Sequence, residues 1–321
     1  MEWDVESILT KQGIKFVSRG SKRKITGFSS INEANEFELS FCWYQGEKGR
    51  KLICNSNSGI ILCDKTMENL VKPKEGTQLI FLDNPRCVFI QVLDKMQNSK
   101  KLVGISSKAN ISKYAKIGKK CYIGDFTKLG SRCIVGDNTI IHDNVTILQD
   151  CSIGNNCIIQ PGAVIGADGF AFERFRNGTL LKFPHTRGVK MADDVEVGAS
   201  SSIARGSLSD TIIGEGTKID ALVHVAHNVI IGRYCEITAG TIIGGSTKIG
   251  NMCWTGLNST IRDNIEIGNN VIVGAGAAVL ENVQDNDIVA GVPARSIKQK
   301  VRSNQLFLMA GQDQGEKFKH E

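Results

Sequence analysis

From Ile105 to Ile165 an aliphatic residue returns at every sixth position, through Ile111, Ile117, Ile123 and onward. The phase slips, resumes over Met191, Val197 and Ile203, slips again, and then runs from Ile213 to Val279. Only Thr255 breaks the aliphatic rule across these 26 hexads. The next residue is often glycine, as at Gly118, Gly124, Gly136, Gly214 and Gly250. Four places after each aliphatic stands a small or β-branched residue, such as Ala109, Thr127, Val145 or Ala163. Cys121, Cys133, Cys151, Cys157, Cys235 and Cys253 share that slot and read as small buried fillers.

A period of six matches neither an amphipathic helix nor an alternating strand. It fits short parallel strands joined by tight corners, three strands to a triangular coil of about 18 residues, each coil burying its inner face by stacking on the next. Glycine after the aliphatic is expected to ease the corner by accepting positive φ. Periodicity leaves the hand open, since parallel crossovers are generally right-handed. From Ile165 to Met191 is 26 residues where six are expected, so about 20 are inserted near 167–188; from Ile203 to Ile213 is 10, so four are inserted. Insertions leave a solenoid as loops, and such loops often carry function.

Residues 1–103 lack the period. Residues 4–13 and 88–96 read as helices; 25–43, 59–63 and 79–82 read as strands, with Asn84-Pro85 a breaker. The expectation is a mainly β chain in three parts: a small N-terminal α/β domain (1–103), a parallel β-helix (104–296) and a polar C-terminal tail (297–321), partly helical at best and frayed at its end.

Composition narrows the function. With 39 basic and 33 acidic residues the net charge is +6, which gives nucleic-acid binding no support. No apolar run reaches the length of a membrane span. The acidic start Met1-Glu2-Trp3-Asp4 lacks the order of a signal peptide, so a cytoplasmic protein with reduced thiols is expected.

The middle of the chain carries Gly166-Ala167-Asp168-Gly169-Phe170, Lys182-Phe183-Pro184, Asp210-Thr211-Ile212-Ile213-Gly214, Ile219-Asp220 and Ala226-His227-Asn228-Val229, then Gly244-Gly245-Ser246. These segments resemble the UDP-3-O-acylglucosamine N-acyltransferases of lipid A synthesis. Ile25 to Ser30, Leu39-Ser40-Phe41 and Asp83-Asn84-Pro85-Arg86 resemble that family's nucleotide-binding domain. The resemblance implies the left-handed β-helix of hexapeptide acyltransferases and a homotrimer with active sites between neighbouring helices. It also implies a nucleotide-linked amino sugar as acceptor, an acyl thioester as co-substrate and no tightly bound cofactor. It makes His227 the general base. The chemistry needs one, because an amine attacking a thioester must lose a proton and imidazole titrates near neutrality. One 18-residue coil above position 227 is Gly245, whose N–H is the expected oxyanion donor. Asp220 is expected to orient His227, and His224 and Asn228 to contact substrate. Phe170 and Phe172 of the long insert are expected to form an apolar wall over the acceptor unless the protein's own core buries them. Lys182 or His185 is expected to meet phosphate. No spacing supports a metal site built on His142, His185, His224 and His227.

Several positions depart from that family. Its second histidine is Asn264 here, and the aspartate of its Ile-Asp-Arg-Gly segment is Ala204. Its base pocket keeps Phe41 but is otherwise replaced by Cys42-Trp43-Tyr44-Gln45-Gly46, where Trp43 or Tyr44 either stacks on a base or packs in the core. Near the end, Ala290-Gly291-Val292-Pro293-Ala294-Arg295 resembles the terminal motif of coenzyme A-dependent hexapeptide acetyltransferases, or else simply stops the chain. The first reading implies coenzyme contacts at Gly245, Gly274, Pro293 and Arg295. The departures point to an N-acyltransferase that uses acyl-CoA and a dTDP-linked amino-dideoxy sugar for a surface glycan. The alternatives are the lipid A enzyme with acyl carrier protein as donor, and a non-catalytic β-helix that only binds a partner.

Overall fold

The structure is a computed structural model that describes residues 2–97 and 102–298. The expected tail beyond residue 298 lies outside the described residues. The chain folds as two compact units, Met1–Lys101 and Leu102–Glu321.

The first unit is a five-stranded sheet with helices on both faces. Its elements are α1 (Val5–Lys11), β1 (Val17–Gly20), β2 (Gly27–Phe28), β3 (Glu38–Cys42), α2 (Gly46–Asn55), β4 (Ile60–Asp64), β5 (Gln78–Leu82) and α3 (Pro85–Gln97). The order is β1-β5-β4-β3-β2, parallel except for β1. Alternation along the strands splits the core. Leu39, Ile60, Leu62, Ile80 and Leu82 pack with α1 and α3, while Cys42, Ile61, Cys63, Leu79 and Phe81 face the side of α2. Two expectations fail here. Residues 25–43 form two short strands rather than one, and the unforeseen α2 covers the second face. The Asn84-Pro85 breaker opens α3 instead of only ending a strand, because proline at the first helical position forfeits no hydrogen bond.

The second unit is the left-handed parallel β-helix, with strands stacked in sheets of nine, eight and eleven. Partners lie 18 residues apart, as in Leu129↔Ile147 and Ile243↔Ile261. Across the inserts the offset becomes 38 at Ile159↔Val197 and 22 at Val197↔Ile219, as the slips in phase require. From Ile111 onward the recurrent aliphatics fill one continuous core, while Ile105 in the first coil is exposed. Thr255 is tolerated inside it because the Thr241 hydroxyl lies 3.2 Å from its own, and Thr241 in turn lies 3.3 Å from the Ser259 hydroxyl.

The corner glycines work differently from the expectation. Positive φ falls two residues later, mostly on asparagine, aspartate or another residue, such as Asn138 (φ 56°), Asn144 (59°) and Asp150 (65°). The glycine after the aliphatic is needed because the next coil is too close. A Cβ on Gly136 would lie 2.6 Å from the backbone of Gly154. The cysteine slot is also more than filler. Cys121, Cys133 and Cys253 each direct their thiol at a corner carbonyl 15 residues on, at 3.0 Å, as Thr139 does at 2.8 Å. Burial pushes the Cys151 thiol up to about 12 and Cys157 to about 11, so neither is a nucleophile near neutrality.

Candidate active site

Both inserts leave the helix at one corner, between the nine-stranded and eight-stranded sheets. The long insert runs from Val164–Ala167 to Val189–Met191, and the short one, a coil later, from Ser202–Ala204 to Thr211–Ile213. In the next coil the same corner carries Ala226-His227-Asn228, and in the one after it Gly244-Gly245-Ser246. Phase slips give the lengths of the insertions. The stacking brings both beside His227.

Asn228 sets the imidazole. Its Nδ2 donates to the Ser209 carbonyl and approaches the Ser209 hydroxyl, both at 2.8 Å. A carbonyl only accepts, so the amide oxygen must point the other way, toward His227 Nδ1 at 2.9 Å and the Ser207 hydroxyl at 2.8 Å. Nδ1 therefore carries the proton in the neutral ring, and Nε2 keeps its lone pair. Facing it is Gly245, where an added Cβ would lie 2.8 Å from His227 Cε1 and 2.9 Å from Nε2. The carbonyl of Gly245 accepts from Asn264 and that of His227 from Ser246, both at 2.9 Å, while the Gly245 N–H donates to no group among the described residues. An imidazole with a defined free nitrogen thus stands beside an unused backbone donor.

The inserts brace this arrangement. Lys182 and Asp168 tie the limbs of the long insert at 2.5 Å, and the lysine holds the Asp168 carboxyl below its usual range. Thr186 N–H donates to Ser207 O at 3.0 Å and Arg187 N–H to Gly206 O at 3.1 Å, joining one insert to the other. Arg205 is buried behind them against Asp150 at 3.4 Å and donates to the Arg187 carbonyl. Gly169 closes over the site, since a Cβ there would fall 2.7 Å from His227 Cδ2 and 2.8 Å from His185 Nε2. Ser207 and Ser209 escaped the sequence reading, because nothing in their local pattern signals that they hold the amide of Asn228 against His227.

Three expectations need correction. Asp220 does not orient His227. Its carboxylate accepts from Ala221 at 2.7 Å and Ala239 at 3.1 Å, on another corner, where it lines a cavity of about 660 Å³ with Glu196, Lys218, Tyr234 and Glu236. His185 does not face solvent phosphate. It is 9% exposed, and its ring meets that of His227 at 5.3 Å and 72°. Lys182 is committed to Asp168. Other residues lie as follows. Phe170 (88% exposed) and Phe172 (40%) are not buried in the core; they meet edge to face at 5.0 Å and line a groove of about 450 Å³ with Leu180 and Phe183. His224 points outward from a flat face in register with Ile242. Gly274 follows Val273 near the end of the helix. Pro293 lies in the turn between Ile288–Ala290 and the antiparallel Arg295–Ser296, which ends the described helix. Arg295 reaches Glu281 at 3.9 Å, on the corner of His227 but three coils away.

In the first unit, Phe41 lies against Phe89 at 4.7 Å and packs on the core. Trp43 and Tyr44 contact each other at 4.8 Å, with Lys48 3.4 Å over Tyr44 and Arg86 5.7 Å over Trp43. These residues, with Lys65 paired to Asp83 at 2.6 Å, gather beyond the carboxyl ends of β3, β4 and β5, where open parallel sheets bind ligands. Among the described residues no cluster of three metal-ligating side chains occurs, and no helix is long and apolar enough to cross a membrane.

The bacterial transferase hexapeptide family (six repeats) matches residues 114–149, 132–167, 210–245 and 246–280, so the repeats of the second unit are similar to that family. The chain is also similar to UDP-3-O-acylglucosamine N-acyltransferases. The one from Herminiimonas arsenicoxydans is 48% identical over 96 residues, which are 30% of this chain and 27% of that protein. The one from Coxiella burnetii is 50% identical over 92 residues, 29% of this chain and 27% of that protein. The matching segment thus spans about a quarter of the length of these curated relatives. Among solved structures, the UDP-N-acetylglucosamine acyltransferase of Francisella novicida aligns with a TM-score of 0.55 and 25% identity, over 60% of this chain and 68% of that one.

Proposed function

We propose that this protein is an N-acyltransferase that moves an acyl group from a thioester to the amino group of a nucleotide-linked amino sugar. The observation that carries the reading is the free Nε2 of His227, fixed by Asn228 beside the unused N–H of Gly245. The acceptor nitrogen attacks the thioester carbonyl and gives its proton to Nε2, and the C–N bond forms. The tetrahedral oxyanion accepts from Gly245 N–H. Collapse breaks the C–S bond, and the proton passes from Nε2 to the departing sulfur, leaving an amide and a thiol. Phe170, Phe172 and Phe183 form an apolar wall for the acyl chain or sugar. The first unit is the nucleotide-binding domain, with Trp43 or Tyr44 for the base and Arg86 for phosphate. Three copies assemble, covering outward-facing aliphatics such as Ile212, Ile230 and Ile242.

For the finer identity, acyl-CoA is the donor and a dTDP-linked amino-dideoxy sugar the acceptor. The altered residues after Phe41 support this, as does Arg295 at the top of the His227 column. Its partner Glu281 stands three coils above His227, about 14 Å at the usual strand spacing, so Arg295 and Pro293 suit the far end of a coenzyme, while Gly274 lies on the corner of Asp220. The second reading, UDP-3-O-acylglucosamine with acyl carrier protein, is favoured by the identity to relatives of that name. The deciding experiment measures thiol release from a short 3-hydroxyacyl-CoA with a dTDP-4-amino-4,6-dideoxy sugar and UDP-3-O-acylglucosamine side by side. Turnover with only the UDP acceptor removes the first reading, and silence with both acceptors and both donor types removes the activity.

A further inference from the structure

His185 is a buried polar ring without a well-formed hydrogen bond. Neither Nδ1 nor Nε2 makes one of good geometry and both are closed to solvent, the Phe183 backbone being the one polar group that acts on the ring at close range. Buried polar side chains nearly always find partners, and an exception asks for an explanation. Replacing such a ring by an apolar group of the same shape is commonly neutral or stabilising, so phenylalanine would serve the fold as well. The position is not slack. Thr186 and Arg187, which follow it, are anchored to the short insert, and the Gly169 backbone lies against His185 Nε2 on one side and His227 on the other. The charged or titratable groups facing His185 are His227 across the ring contact, and Asp168 and Lys182, whose own ion pair balances their charges.

We infer that His185 is a positioning residue for the base: its uncharged ring, held edge to face on His227, supplies the dipole that stabilises the imidazolium formed at His227 during transfer. The polarity of His185 is thus used by its neighbour and not by substrate, which cannot reach either nitrogen. Burial, and after it the repulsion of a charged His227, hold the His185 ring below the usual histidine range, so the ring that faces His227 stays uncharged. In a dry pocket a fixed dipole acts far more strongly than in water.

This deepens the proposed acyl transfer and rests on His227 being its base, yet part of its test needs no substrate. Histidine-labelled full-length protein is titrated by NMR as wild type, His185→Phe and His185→Gln. In His185→Phe, His227 should titrate lower by roughly half a unit or more. The melting temperature should stay level or rise. In thiol release, kcat should fall about threefold to tenfold, with KM unchanged. His185→Gln keeps an amide dipole in the same place and should restore most of the titration and of kcat. An unchanged His227 titration in His185→Phe, or a glutamine variant no better than phenylalanine, overturns the inference. If His185→Phe does not fold, His185→Leu takes its place with the same expectations. Wild-type silence in thiol release with a shifted titration would defeat the proposed reaction while leaving the coupling of the two rings standing.

Discussion

On the corner between the eight-stranded and eleven-stranded sheets, the second residue after the aliphatic is Asp137, Asn155, Asp193, and later Asn251, Asn269 and Asp285. Each side chain reaches back one coil to accept the backbone N–H of its counterpart: Asp137 N–H to Asn155 at 2.7 Å, Asn155 N–H to Asp193 at 2.8 Å, Asn251 N–H to Asn269 at 2.9 Å. On the corner between the nine-stranded and eight-stranded sheets, the same position holds His227, then Gly245, then Asp263. Glycine reaches back to nothing, so among the described residues no side chain caps the His227 N–H, and Asp263 does not cap Gly245. One corner spends its backbone donors on stability. The other leaves a donor and an imidazole side by side. The comparison teaches that the site lies on a corner whose backbone donors no side-chain ladder takes up, whereas the corner of Asp137, Asn155 and Asn251 has such a ladder.

Changes at the site corner should cost turnover and spare the fold. His227→Ala should lower thiol release by about 10²–10⁴-fold, with an unchanged melting temperature; retained turnover would move the base elsewhere. Gly245→Ala places a methyl 2.8 Å from the ring and should cost about 10²-fold or more through lost donor geometry and a displaced base. A variant with wild-type kcat would mean that neither the gap nor the N–H is used.

Asn228 sharpens the comparison, because it decides the tautomer. Asn228→Leu should cut kcat roughly tenfold to a hundredfold with KM little changed. Asn228→Asp keeps an acceptor at Nδ1 but adds a negative charge. A neighbouring carboxylate favours the charged imidazole, so the folded His227 pKa rises and the acid limb of kcat/KM moves to higher pH. A limb moving to lower pH would contradict the Nδ1–H assignment.

The smallest effect belongs to the ladder corner. Asn155→Ala should cost about 1 kcal/mol of stability, read by denaturant titration, and leave turnover intact. A loss of activity there would show that the two corners are not independent.

Much of this was legible in the chain. The six-residue return of Ile, Val and Leu specifies coils because each aliphatic must face an interior only stacking can provide. The slips gave the insert lengths for the same reason. The N-terminal unit was less legible, since its short strands lack a long repeat: residues 25–43 merged two strands, and the polar surface of α2 hid it. His227 and Gly245 could be paired by counting one coil. Asp220 was misplaced because counting gives the coil and not which polar neighbour lies within 3 Å. His185 was read as a phosphate contact because a histidine beside a lysine looks exposed in sequence.

By itself, then, the sequence determined the repeat, the coil length, the corner that carries His227 and the glycine above it, because periodic burial is a one-dimensional constraint. Only the tertiary structure decided which insert residues reach back to that corner. The amide of Asn228 is turned by Ser209, and His185 is folded against His227 by Gly169 and by the bonds of Thr186 and Arg187 to the neighbouring insert. Those contacts join loops with no period of their own, and their geometry exists only once the coils have stacked.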